Sequence, residues 1–237
     1  MLLLSVVIAK SEQERYGNQD LVLNAQEVLG EAVSASLNLG LSLDALVTIA
    51  EKPWQEIIRV SETHRCESLL LGFTHFTDSH TENNLEKLLN SVDSDVVILR
   101  APRDWQILDA KRILVPVGGR GAHGELLARL LGSICRSGSP EITFLRVMPE
   151  GSDWKSVERA RKELFIYAAD QAAQGNIKIK VENSDDITGH IINRAAESDL
   201  VILGIQRVGR RQKSLGILTL RIARETDCPL LMISSRN

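Results

Sequence analysis

The chain has 237 residues, 43% of them apolar and 25% charged, with a formal net charge of −3. This composition fits one large α/β domain or two small ones with a sizeable core, and it argues against nucleic acid as the main partner. Cys66, Cys135 and Cys228 stand far apart with no C-x-x-C spacing, so they read as buried free thiols of a reducing compartment, not as a disulfide framework.

Charge is divided unevenly. Residues 1–100 hold 7 Lys and Arg against 15 Asp and Glu, and the remainder holds 21 against 16. The two halves either attract each other, face different partners, or present solvated surfaces of unlike composition.

The opening run MLLLSVVIA is apolar but far short of the roughly 20 residues of a membrane span, and it lacks the basic region and cleavage site of a signal peptide. Leu2–Ala9 is therefore predicted to be a buried strand. Residues 20–39 place Val22, Ala25, Val28, Ala32 and Ser36 on one helical stripe, and Gly40 ends it. A strand, LSLDALVTI, precedes a helix with Pro53 in its first turn, where the missing N–H costs nothing. SLLLG, NNLEKLLNSV and DVVILRA then read as strand, helix and strand, and polar residues 102–111 form a linker.

The second stretch begins with a strand at 112–117 and a helix at 122–137. Strand EITFLRVM follows, then a helix at 153–174 with Asp153 as N-cap and Gly175 as its stop. Strand IKIKVE, a helix from about Thr188, strand DLVILG, a helix at 215–225 and strand CPLLMIS complete the chain. Runs such as LVIL, VVIL and LLMI do not alternate polar with apolar, which implies a mostly parallel sheet covered by helices on both faces.

An internal repeat is visible. SLLLGF…SVDSDVVILRAP parallels DLVILGI…ETDCPLLMISS, WQEIIRVSE parallels TGHIINRAAE, and LLLSVVIA parallels ITFLRVMP. The chain is thus a tandem of two related units, 1–101 and 112–237, joined by linker 102–111. The first unit has no counterpart of strand 112–117 or helix 122–137, so it is expected to be incomplete and to leave apolar surface that something else covers.

The order of elements in 112–235, opening on ILVPV and closing on CPLLMI, resembles the universal stress protein family, and residues 1–100 resemble it in part. The resemblance implies two open, mostly parallel, Rossmann-like sheets in tandem, the first without its initial strand and helix. Many members bind ATP at the carboxyl ends of the strands, using an Asp after the first strand and a late G-x-x-G-x9-G-[ST] signature. Here Gly118 stands in the Asp position, Gly204 and Gly216 match, the middle glycine is displaced to Gly209, and Ile217 replaces the phosphate-binding hydroxyl. HRCESLLLGF, with Leu71-Gly72-Phe73, further resembles the cytoplasmic carboxy-terminal region of cation–chloride cotransporters and of other transporters of the amino-acid–polyamine–cation superfamily.

The candidate sites follow from these patterns. Gly118, Gly119, Arg120 and Gly121 offer backbone N–H groups at a strand–helix turn, and with Gly204, Gly209 and Gly216 they are a candidate anion or nucleotide site; the other reading is a tight turn alone. Arg207, Arg210, Arg211 and Lys213 form a basic loop on the ligand side of the sheet, either an anion, lipid or acidic-partner contact or a solvated loop. His75, Asp78 and His80 share one loop that reads as polar, not as a metal site. His123 reads as a surface helix residue, and no nucleophile elbow or ordered triad is present.

The expected function is a non-enzymatic regulatory and assembly domain of a membrane transporter, with no catalytic residues, metal or cofactor. It is expected to be cytoplasmic and tethered to the plasma membrane through the transporter's own transmembrane part, with its two units packed together through the apolar strands near 96–99 and 230–233, and to self-associate further as a homodimer. The alternative is a free-standing tandem universal stress protein that binds ATP or another adenine nucleotide.

Overall fold

The unbroken aliphatic runs are strands covered on both faces: four of the five residues in Leu200–Gly204, and all five in Leu230–Ser234, are buried. The computed structural model describes residues 1–9, 19–38, 40, 42–74, 79–118, 123–172, 175–208 and 212–236. Two compact units divide the chain, Met1–Cys66 and Glu67–Asn237.

The first unit contains β1 (Leu2–Ile8), α1 (Gln19–Asn38), β2 (Asp44–Ala50) and α2 (Pro53–Thr63). β1 and β2 pair in parallel, with Leu2 opposite Asp44. Pro53 lies in the first turn of α2 as expected. On α1 the stripe is shifted. Leu29 and Ser36 are buried, and Val28 is 59% exposed. Leu29 and Ser36 are two helical turns apart, so they mark the centre of the buried face and turn Val28 to its flank.

The second unit contains β3 (Ser68–Phe73), α3 (Ser79–Ser91), β4 (Asp95–Arg100), β5 (Arg112–Pro116), α4 (Gly124–Ser137), β6 (Glu141–Met148), α5 (Trp154–Gln171) and β7 (Asn176–Asn183). It continues with α6 (Ile187–Ala195), β8 (Leu200–Gly204), β9 (Gln206–Val208), β10 (Gln212–Ser214), α7 (Gly216–Glu225) and β11 (Leu230–Ser234). Seven strands form one sheet in the order β3-β4-β11-β8-β5-β6-β7. All its neighbours are parallel except β4 and β11. Asp153 caps α5 by accepting from the amides of Lys155 and Ser156.

The β4–β11 pair joins the two repeats through their last strands, as expected. Leu230 lies opposite Arg100 and Ser234 opposite Val96. Side chains reinforce this seam. Arg100 Nη2 donates to the Cys228 carbonyl at 2.9 Å. The Asp95 carboxylate accepts from Arg129 of α4 and, at 2.7 Å, from the Arg236 amide. Arg224 of α7 pairs with Glu82 of α3.

The opening strand of the second repeat, β5, sits mid-sheet between β6 and β8. The strands of the first repeat form the pairs β1–β2 and β3–β4. The compact units consequently part at Cys66, not in the expected linker at 102–111, because β3 and β4 extend the sheet of the second repeat. Linker residues Ile107–Asp109 form one 3-10 turn.

Among the described residues no cysteine is disulfide-bonded; Cys228 is buried as expected, whereas Cys66 and Cys135 are half-buried.

Candidate functional site

A parallel sheet with helices on both faces opens a crevice at the carboxyl ends of its strands, where neighbouring crossovers leave in opposite directions. Here that crevice is a cleft of about 630 Å³. Val117 and Gly118 after β5, and Gly204 and Ile205 after β8, line it; Ile187 and Ile191 of α6 and Leu218 and Thr219 of α7 line it too. Tyr167 of α5 reaches it and stands edge-on to Phe144, ring centroids 6.1 Å apart. Burial pushes the Tyr167 phenol up, so it stays neutral. Among the described residues, no charged side chain lines the cleft.

His123 lies at the cleft and, against expectation, is buried, only 8% exposed. The Ser235 amide donates to its Nδ1 at 3.1 Å, and its Nε2 lies 2.7 Å from the Ile205 carbonyl. A backbone N–H can only donate and a carbonyl can only accept, so the proton sits on Nε2. Both ring nitrogens thus tie the start of α4 to the ends of β8 and β11. The ring lies so close to β8 that a Cβ on Gly204 would stand 2.7 Å from His123 Cδ2. Gly204 is therefore required by packing.

The wall formed by α6 is anchored from below. Asp186 accepts from the Gly189 amide at 2.9 Å as N-cap. Glu182 of β7 accepts from His190 Nε2 at 2.6 Å and from Arg194 Nη2 at 2.6 Å. Burial alone would raise the Glu182 carboxyl, but the hydrogen bonds from Arg194 and His190 outweigh it and hold the group below its ordinary range.

The segment between Gly204 and Gly216, expected as a basic loop that is either an anion, lipid or acidic-partner contact or solvated, contains an antiparallel hairpin, β9 paired with β10. Glu86 and Asn90 of α3 hold it. Asn90 exchanges two hydrogen bonds with the backbone of Lys213, and the Glu86 carboxylate accepts from Ser214 Oγ and the Leu215 amide at 2.8 and 3.0 Å. Lys213 is 1% exposed, so it is no part of a solvated basic surface. Gly216 has φ +67°, a conformation that favours glycine at the turn into α7. Ile217 is 87% exposed and lies off the cleft.

The structure thus brings Gly118 and Gly204 to one cleft. Gly118 is exposed, and a Cβ there would meet nothing within 4 Å. Gly119, Arg120, Gly121, Gly209, Arg210, Arg211, His75 and Asp78 lie outside the described residues. α4 starts at Gly124, two residues later than expected. Among the described residues no group of three His, Cys, Asp or Glu is placed to hold a metal ion, and no helix is long and apolar enough to cross a membrane. Sequence reasoning missed the hairpin and the buried His123. Strands of three residues carry no readable period, and a lone histidine gives no local sign of a distant partner.

No family model and no curated protein matches the chain. Solved structures do. A universal stress protein from Archaeoglobus fulgidus DSM 4304 superposes with a TM-score of 0.63 at 14% identity, covering 100% of this chain and 86% of that one. The cytoplasmic domain of a prokaryotic cation chloride cotransporter gives 0.61 at 12% identity, covering 98% and 95%. A putative universal stress protein from Pseudomonas aeruginosa UCBPP-PA14 gives 0.58 at 15%, covering 98% and 92%. The chain has the universal stress protein fold in tandem form.

Proposed function

We propose that this chain is a non-enzymatic regulatory and assembly module of a membrane transporter of the cation–chloride cotransporter or amino-acid permease type, held at the cytoplasmic face by the transporter's membrane part. One observation carries the reading: the segment that corresponds to the phosphate-binding glycine loop of nucleotide-binding universal stress proteins is here a hairpin fastened to α3 of the other repeat. A loop tied there serves the joint between repeats. The likeness over nearly the whole of both chains to a transporter's cytoplasmic domain supports the same reading.

Fractionation of the source cells tests it. Antibody against the chain is expected to detect a polypeptide much larger than 26.2 kDa that stays with the membrane pellet after alkaline carbonate washing. A free soluble band near the mass of the chain overturns the proposal.

A second reading, a free-standing tandem stress protein that binds an adenine nucleotide, is favoured by one observation: a cleft of suitable size lies at the carboxyl ends of β5 and β8. Isothermal titration separates the two. The first reading expects no tight binding of ATP or AMP; a low-micromolar constant for either supports the second.

A further inference from the structure

We propose that the cleft between α6, α7 and the ends of β5 and β8 is a binding site for an uncharged, predominantly apolar small molecule. The regulatory reading above supplies only the consequence of such binding; the binding itself is argued from the cleft.

Its volume of about 630 Å³ falls within the range of small-molecule sites. Its walls are aliphatic: Ile187, Ile191 and Leu218 face it from the helices, and Val117 and Ile205 from the strand ends. Ile187, at the first position of α6, keeps 39% of its surface in water, and a ligand of matching polarity would cover it. Among the described residues the polar side chains that line it are those of His123, Tyr167, Gln206 and Thr219. The nitrogens of His123 are already engaged by Ser235 and Ile205, and the Tyr167 phenol is un-ionised. Lys213, the buried basic residue of the neighbouring hairpin, is not among the lining side chains.

The test uses N-phenyl-1-naphthylamine, a neutral fluorescent probe, with the whole chain. The expected result is saturable binding at one site per chain with micromolar affinity. Two variants address the cleft. Ile187→Glu puts a carboxylate on the rim at a helix start, where negative charge is favourable, so the fold is kept. Val147→Phe, also a lining position, fills space without charge. Each is expected to weaken binding at least tenfold with an unchanged circular-dichroism melt. Phe165→Ala, on an exposed part of α5, is expected to leave binding intact.

No saturable binding, binding untouched by Ile187→Glu and Val147→Phe, or loss in Phe165→Ala instead, overturns the proposal. So does displacement of the probe by ATP at low micromolar concentration. None of these outcomes bears on membrane fractionation, so failure here and failure of the transporter reading are told apart.

Discussion

Asn90 closes a two-bond ring on the backbone of Lys213, Nδ2 donating to its carbonyl and Oδ1 accepting from its amide, both at 2.8 Å across 123 residues of sequence. A carboxamide offers the same donor and acceptor pair as a peptide unit, so Asn90 stands in for a strand neighbour along β10. Asn90→Asp keeps the acceptor and turns the donor into a second acceptor facing a carbonyl. It is expected to cost about 1 kcal/mol and to speed amide hydrogen exchange at Lys213 and Ser214 while leaving the β5 and β6 amides unchanged. Equal protection throughout would show that the hairpin does not depend on this clasp.

Gly204 and Gly118 should behave oppositely on substitution. A Cβ at Gly204 meets the His123 ring at 2.7 Å, whereas at Gly118 it meets none of the described residues within 4 Å. Gly204→Ala is expected to destabilise by about 1–3 kcal/mol through overpacking, and Gly118→Ala to stay within about 0.5 kcal/mol. Urea denaturation of both variants measures the contrast, and equal midpoints would refute the assigned role of the His123 ring.

Leu231 is 5% exposed and lies opposite Leu99 at the seam between the repeats. Leu231→Arg puts an unpaired charge there, with an expected loss of at least about 3 kcal/mol. The melting temperature should fall and the hydrodynamic radius should rise. A variant with wild-type values of both would show that the seam does not hold the repeats together.

Cys228 supplies an alkaline limit. Burial pushes its thiol up to about 11 from an ordinary value of 9.0, and its Sγ donates to the Ser198 carbonyl at 3.3 Å. The folded state keeps this proton after the unfolded chain has released it. The associated stability, on the order of 2–3 kcal/mol, is fully present below pH 9 and is lost as pH rises towards 11. Denaturation midpoints should decline across that window, and Cys228→Ala should flatten the decline. Iodoacetamide at pH 8 is expected to label half-buried Cys66 faster than Cys228; the reverse order would contradict the burial assigned to Cys228.

The sequence by itself determined the strands of the large sheet, most helices and the tandem repeat. Those features rest on local periods and on self-similarity, which a chain carries without being folded. The Asp153 cap was likewise legible, since it depends on backbone within a few residues. The tertiary structure alone decided where the compact units part, what holds the hairpin, and what His123 does. Lys213, Cys228 and Ile205, which Asn90, Arg100 and His123 engage, lie more than 80 positions from them, and no local pattern encodes a partner at that range. It also decided the chemistry of the cleft. Gly118 and Gly204 lie beside described walls of isoleucine, leucine and valine supplied by seven elements, and the sheet's strand order, not their spacing in sequence, brings them together.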